Sequence, residues 1–489
     1  MEEIKEMTFK EKIKSFPRTF WVSNTVELFE RWGWYGLFNV LAIYLTASTD
    51  TGALGFSQEQ KGTLMGIVSG MVYLLPLFTG AISDKVGYKK SLIVAFSLYA
   101  IGFFVMGKTS GYAAVFLAFT IVGIGAGIFK PIVSATISKT TTKKTAILGF
   151  GFFYMMVNLG ALIGPTISSK LRETNWDYVF YSSIVAIIIN IILVVFLYKE
   201  PDREKNTDAL GETFKKIGKN IITAVSDWKF LIFLVIIAGF WTMYMQLFFT
   251  LPVFVEQWVD SSALLASIKN AIPFFGNFLD NGHGAINPEM MLNMDALFIV
   301  LFQIIISSQV TKMKPVNAMI TGFLISAIGL GLMFFFHNPI YIVISILIFS
   351  LGEMTGSPTI TAYIGMLADK DKKALYMGMS FLPVAVGNIL GGYISGSVYG
   401  KMSDKVNILK RVFVENNWQV PEITKEFTKN DFLKLGMEKL NMTHNQLTEF
   451  LWNNYNPDHI WYVFTGIGLF TVVSLFLYDR LVMKKVKNK

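Results

Sequence analysis

The sequence predicts an all-α polytopic membrane protein with 12 transmembrane helices in two pseudo-symmetric six-helix bundles, and three observations carry that expectation. The chain has 489 residues, 53% of them apolar, and the roughly 259 apolar positions exceed the about 240 that twelve helices of about 20 residues require. A mean hydropathy of +0.49 with 16% charged residues, grouped between long apolar runs, excludes a soluble enzyme or a disordered chain of this length. The third observation is that loop lysines alternate and recur at a nearly constant spacing. Cysteine is absent, which removes disulfides, thiolate nucleophiles and Cys-based metal sites. The histidines at 283, 337, 444 and 459 are too scattered to hold a catalytic metal. The formal charge of +9 sits in short segments between apolar runs, where it sets topology and offers no nucleic-acid surface.

Apolar runs predict spans near 22–46, 61–83, 91–107, 112–137, 147–169 and 178–198, then, after a charged stretch, near 230–255, 294–311, 316–336, 339–367, 374–399 and 459–482. This divides the chain into an amphipathic segment 1–19, a bundle 20–198, a linker 199–229, a bundle 230–483 with insertions 256–293 and 401–458, and a basic tail 484–489. The first apolar run is too long for a signal-peptide core and lacks a small-residue cleavage site, so it is expected to remain as span 1.

Orientation follows from lysine and arginine, which are retained on the cytoplasmic side. One set of segments holds Lys5, Lys10, Lys12, Lys14 and Arg18; Lys85, Lys89 and Lys90; Lys139, Lys143 and Lys144; Lys312 and Lys314; Lys370, Lys372 and Lys373; and Arg480 with the tail lysines. The alternate short loops carry few, Lys108 and Arg172 being the main exceptions, so both termini are expected to be cytoplasmic. Lys85 and Lys312 stand 227 apart (312 − 85), and Lys143 and Lys372 stand 229 apart (372 − 143). A common offset argues for two bundles related by an axis along the membrane normal; chance spacing of loop lysines is the competing reading.

The insertion 256–293 contains the turn-like "DNGHG" and is expected to extend spans 7 and 8 beyond the bilayer. The insertion 401–458 reads as an external two-helix cap, with Thr443 and Gln446 at capping-box spacing before Leu447, Phe450 and Leu451. Ile4, Phe9, Ile13 and Phe16 recur at helical spacing among lysines, which suits a short helix on the inner leaflet.

Ionisable groups at bilayer depth are functional candidates because they are costly unless paired or hydrated. Span 1 carries three in "ELFERWGWYG". At 100° per residue from Glu27, Glu30 falls at about 300°, Arg31 at about 40° and Trp34 at about 340°, one shared face. Arg31 can therefore sit between two carboxylates, as a structural ion pair or as a site. Lys130 follows "GIGAGIF" in span 4, where glycines 123, 125 and 127 admit a neighbouring backbone; it either lines a site or snorkels to the cytoplasmic surface. Glu353 lies deep in span 10. Asp295, at the start of span 8, is either solvated or capping, or a site residue. Glu27, Glu30, Asp295 and Glu353 against Arg31 and Lys130 leave two excess negative charges, so a proton or a cationic ligand group must be accommodated, as in a proton-coupled carrier.

At these residues the chain resembles the proton-dependent oligopeptide transporter (POT) family of the major facilitator superfamily. Glu27 to Gly36 resembles the family's ExxERFxYYG motif. "YLLPLFTGAISDKVGYKK" is similar to its span-2 tyrosine followed by the superfamily loop motif, here Gly80, Asp84, Lys85 and Gly87. "GIFKPIVS" carries a span-4 lysine, "FGFFYMMVNLGAL" fits the span-5 signature, and "GEMTGSP" with "MGMSFLPVAVGNILGG" resembles the span 10 and 11 region. The matches run in order through about 470 residues.

The resemblance implies the major facilitator fold and proton-coupled import of small peptides or peptide-like zwitterions by alternating access. It implies that Arg31 and Lys130 attract a substrate carboxylate, that Glu353 with Asn158 receives the amino end, that Tyr35, Tyr73 and Trp241 line the pocket, and that Glu27, Glu30 and Arg31 couple protons. It implies no cofactor beyond the proton gradient, a plasma or inner membrane location, and function as a monomer. Three departures are visible: Met245 precedes Gln246 where the family has a carboxylate, Asp295 stands where it has an asparagine, and Ser380 where it has a tryptophan. Asp295 is therefore expected both to bind substrate and to take over charge balance from the missing span-7 carboxylate. The alternatives are the same fold carrying another solute, such as an anion or a peptide-like metabolite, or a non-transporting nutrient receptor or a membrane enzyme; the last lacks a nucleophile and base pair at membrane depth.

Overall fold

The computed structural model describes residues 8–142, 144–202, 210–333, 339–367 and 373–483. Ile4, Lys5, Lys143, Lys370, Lys372, part of the 199–229 linker and the tail 484–489 lie outside the described residues. No strand is formed among the described residues; an isolated bridge joins Asp280 and Ile286.

Among the described residues, ten helices are long and apolar enough to cross a membrane, and the pair Gln58–Leu74 and Pro76–Val86, bent by 48°, supplies an eleventh span. The twelfth is Arg18–Thr46, whose 29 residues reach about 43 Å but carry Glu27, Glu30 and Arg31. In chain order, span 1 is Arg18–Thr46, span 2 the bent pair, span 3 Tyr88–Lys108, span 4 Tyr112–Lys139, span 5 Ala146–Arg172, span 6 Trp176–Phe196, span 7 Trp228–Phe249, span 8 Pro288–Val310, span 9 Pro315–Leu332, span 10 Pro339–Leu367 and span 12 Pro457–Met483. Span 11 is built from Lys373–Gly378, Leu382–Tyr393 and Tyr399–Met402, with a π-helical turn at Ile394–Val398. Proline at the first helical positions of the second half of span 2 and of spans 8 and 9 needs no intrahelical donor there. Side chains such as Ile304, 83% exposed, and Phe470, 74% exposed, form apolar surface that only lipid would cover favourably.

The chain resolves into two compact units. The first comprises residues up to Leu37, Met71–Ser168 and Asp177–Lys219; the second comprises Phe38–Gly70, Ser169–Trp176 and Asn220 onward. The end of span 1 and the start of span 2 thus belong to the second unit.

In the first unit, span 5 reaches the backbone of span 1 because Gly160 has no side chain: a Cβ there would lie 2.4 Å from the Leu28 carbonyl oxygen and 2.6 Å from Arg31 Cβ. Span 4 likewise meets the Ala95 carbonyl at Gly125, and its helix continues through Pro131. Leu210–Ser226 forms a helix with Phe214 against Phe78, ring centroids 6.0 Å apart. The N-terminal helix Phe9–Ser15 is closed by a Thr8–Glu11 capping box; it leaves Phe9 exposed and turns Phe16 inward onto Phe20.

In the second unit the insertions differ from expectation. Rather than simply lengthening spans 7 and 8, residues 256–293 fold back as Ser262–Ala271 and Pro273–Leu279, because Ile272-Pro273 breaks the first helix and Gly282 and Gly284 turn the chain at positive φ. The 401–458 segment holds three helices, Lys405–Glu415, Lys429–Leu440 and His444–Tyr455. Two end at left-handed asparagines, Asn441 and Asn456. The Thr443–Gln446 capping box is formed as its spacing predicts.

Candidate functional site

The first unit assembles the charges of span 1. Glu27, Glu30, Arg31 and Trp34 are all buried on the face their spacing predicts. Arg31 Nε lies 2.5 Å from Glu30 Oε2 and 3.3 Å from Glu27 Oε1. The Tyr99 hydroxyl of span 3 donates to Glu30 Oε1, and Trp34 packs on Phe119 and edge-on to Tyr99. Both carboxylate contacts of Arg31 use Nε, so its two terminal nitrogens make no hydrogen bond among the described residues. The guanidinium carbon stands 5.6 Å from the Tyr35 ring.

Lys130 points into this same cluster. Its Nζ lies 3.6 Å from the centroid of the Tyr73 ring, and Arg31, Glu30 and Glu27 all act on it electrostatically, although no carboxylate is close enough for an ion pair among the described residues. Asn158, half-buried on span 5, donates to the Tyr154 carbonyl at 2.8 Å. At the turn after span 2, Gly87 takes φ 113°, which favours glycine, and Tyr88 donates to Asp84 at 2.7 Å. Gly80 faces Pro131 of span 4, and Lys85 is exposed.

The second unit brings together Trp241, Tyr244, Asp295 and Glu353. The Tyr244 hydroxyl donates to Glu353 Oε1 at 3.0 Å, whereas Glu353 Oε2 and the Trp241 indole nitrogen are buried without a hydrogen-bond partner among the described residues. Asp295 is buried at the first turn of its helix, accepts a 2.5 Å hydrogen bond from Ser350, and lies near enough to Glu353 to act on its charge. Met245 is buried. Gln246 beside it is held by the Thr242 and Gly391 carbonyls, and Ser380 bonds within its own turn to the Met377 carbonyl.

Several participants are not visible from sequence pattern. Tyr99 and Tyr244 are uncharged residues in apolar runs, and only packing reveals the carboxylates they serve. Arg172, an exception among external loops, is paired at 2.6 Å with the fully buried Glu289 and at 3.5 Å with Glu256. Lys61 marks the edge of an apolar run in sequence, yet it lies inside Gln58–Leu74 and is fully buried.

A family model described as Major Facilitator Superfamily matches residues 26–279 and 263–420. The chain is 26% identical over 435 residues to the dipeptide and tripeptide permease B of Salmonella typhimurium (strain LT2), covering 78% of this chain and 86% of the relative. It is 25% identical over 452 residues to the dipeptide and tripeptide permease A of Escherichia coli (strain K12), covering 82% and 89%. A mutant of a peptide transporter POT in complex with alafosfalin superposes with a TM-score of 0.70 at 17% identity, over 97% of this chain and 99% of the other. A POT family transporter in complex with 5-aminolevulinic acid gives 0.65 at 18%, over 91% and 99%. A structure described as tetrameric PepTSo2 gives 0.65 at 16%, over 96% and 99%. At such identities the structural likeness establishes the fold.

Proposed function

This chain belongs to the Major Facilitator Superfamily, and on that footing we propose that it is a proton-coupled symporter importing small peptides or peptide-like zwitterions by alternating access. It is a transporter and not an enzyme. In this reading it sits in the plasma or inner membrane with both termini inside, comprises two six-helix bundles joined at 199–229, works as a single copy, and draws on the proton gradient with no bound cofactor.

The observation that carries the reading is the Arg31 guanidinium, held by Nε between two carboxylates with its terminal nitrogens uncommitted. That fork matches a carboxylate bidentately, and Lys130 beside it adds a second cation. Glu353, with one buried carboxylate oxygen unpartnered, is suited to a substrate ammonium, and the Trp241 N–H supplies a further donor; an unpaired buried polar atom is otherwise unfavourable. Tyr35 and Tyr73 line the carboxylate end, and Asn158 assists at the amino end. Glu27 and Glu30 are the proton-coupling carboxylates: a substrate carboxylate on Arg31 competes with them for one guanidinium, and protonation releases it. Asp295 contributes to coupling through Glu353, and Asp84 with Lys85, Gly80 and Gly87 forms the cytoplasmic gating turn. Each proton contributes about 2.3 kcal/mol per 100 mV of membrane potential.

A second reading, the same carrier moving a non-peptide solute, draws on Met245, which removes a carboxylate from span 7. Liposomes with an imposed pH gradient distinguish the two in a counterflow panel of peptides, amino acids and anions. The peptide reading expects accumulation that a protonophore abolishes and binding at least about tenfold weaker for C-terminally amidated peptides, the loss of charge-assisted hydrogen bonds. Equal affinity for acid and amide forms overturns the assignment of Arg31 and Lys130.

A further inference from the structure

Within the second unit, the outer half of span 2 packs against span 11 so closely that the backbones touch. A Cβ on Gly62 would lie 2.2 Å from the Gly392 carbonyl oxygen, one on Gly66 would lie 2.9 Å from Gly392 Cα, and one on Gly396 would lie 3.0 Å from the Gln58 carbonyl oxygen. Such a seam, dry and free of side chains, has strong dispersion attraction and little reason to part.

Beside it lies Lys61, fully buried. Its ammonium donates to the Phe249 carbonyl and to Ser395 Oγ, both at 2.9 Å, and stands 5.3 Å from the Tyr399 ring. Asp404 and Glu59 act on it from a distance, but neither forms an ion pair with it among the described residues. The Asp404 carboxylate is already taken by Gln58 at 2.7 Å and Gln257 at 3.0 Å. Ser395 is itself held by Thr250 and the Phe249 carbonyl. Removing an ammonium from water costs more than two hydrogen bonds to neutral acceptors return, so Lys61 makes this packing less favourable than the glycine seam alone would be.

We propose that Lys61 is a positioning residue of the transport cycle, one that keeps the external face openable by opposing the span 2–span 11 seam. When the seam is closed the ammonium is dry and held by neutral groups; when it parts the ammonium regains water. The proposal rests on the carrier reading for its purpose, but its test reads conformation and not transport.

The native chain contains no cysteine, so a single reporter has no background. Ala385→Cys is suitable: Ala385 is fully buried, ten residues inward of Ser395 on span 11, with its carbonyl 3.0 Å from a Cβ built on Gly70. In right-side-out vesicles the rate of labelling by a membrane-impermeant maleimide measures opening. Lys61→Met, which removes the charge and keeps an unbranched side chain, is expected to lower that rate about tenfold or more. Ser395→Ala leaves the ammonium short of an acceptor in the closed arrangement and is expected to raise the rate, with a much smaller effect in the Lys61→Met background. An unchanged or faster rate in Lys61→Met overturns the proposal. If Lys61→Met does not insert, Ser395→Ala decides: a rate at or below the parent overturns it, and a raised rate sustains it. Loss of counterflow in the parent with labelling behaving as expected would sink the carrier reading alone.

Discussion

Arg31 is fixed from three sides: Glu27 and Glu30 hold Nε, and Gly160 of span 5 lies against its Cβ. That immobility gives its terminal nitrogens a defined direction, which a flexible ammonium lacks. Arg31→Lys is therefore expected to weaken substrate binding by about tenfold or more, as read by counterflow competition; native affinity in Arg31→Lys would show that charge alone suffices. Glu27→Gln and Glu30→Gln are expected to abolish gradient-driven accumulation while retaining exchange, which needs the binding groups but no net proton movement. Concentrative uptake at the native level in both variants would remove the triad from coupling. The one-face placement of these charges was readable from their spacing, because 3.6-residue periodicity alone decides it. Tyr99 was not readable, because its role depends on where span 3 docks.

Helix limits were readable where composition changes sharply, as at span 4, expected at 112–137 and found at Tyr112–Lys139. They were less so where a polar residue sits just inside a helix, as at Gln58–Lys61. Caps explain the difference, since they act through backbone geometry that an apolar run does not report. Asp227 is such a cap: its Oδ1 accepts from the Lys229 and Phe230 N–H groups, and Tyr376 donates to Oδ2 at 2.6 Å. Burial opposes its ionisation, but these donors prevail and hold it below the ordinary aspartate range. A carboxyl whose pKa is lowered by folding adds stability above its unfolded pKa, near 3.9, and loses it as pH falls through the lower folded value. Asn still caps the helix, so Asp227→Asn loses only the charge that strengthens these bonds and is expected to reduce thermal stability in detergent near pH 7 by the equivalent of about 1 kcal/mol, with the gap to the parent narrowing toward pH 3. A gap that stays constant across that range would show that the charge is irrelevant.

The large-scale pattern of twelve spans was legible because hydropathy measures transfer into lipid directly. The place of 401–458 was not, because it depends on contacts between segments nearly 400 residues apart. This segment looks dispensable in sequence, as an external cap outside the twelve-span pattern, yet it belongs to the same compact unit as Phe38–Gly70 and is fastened to it. Lys429 donates to the carbonyls of Thr46 and Phe56 at 2.7 and 2.9 Å, Asn430 binds Ser48 and Asp50, and Gln58 binds Asp404. Thr46 ends span 1, so the Lys429 charge meets the negative end of that helix dipole. Lys429 is half-buried where Lys61 is fully buried: burial still holds its pKa below the ordinary lysine range, but the hydration it keeps and the helix dipole make that cost smaller than at Lys61, and its two carbonyl bonds fasten the segment to the hairpin. Its contacts therefore favour the closed seam that Lys61 opposes. Replacing 405–455 with a flexible Gly/Ser linker is expected to leave a folded, inserted protein in which the span 1–span 2 hairpin opens more readily. At roughly 1.5–3 kcal/mol for hydrogen bonds from a charged group, losing those of Lys429 alone is expected to raise external labelling of Ala385→Cys about tenfold, and Lys429→Gln is expected to reproduce part of that rise. Unchanged labelling together with a loss of substrate affinity would mean that the segment acts in recognition, not as a fastening on the hairpin.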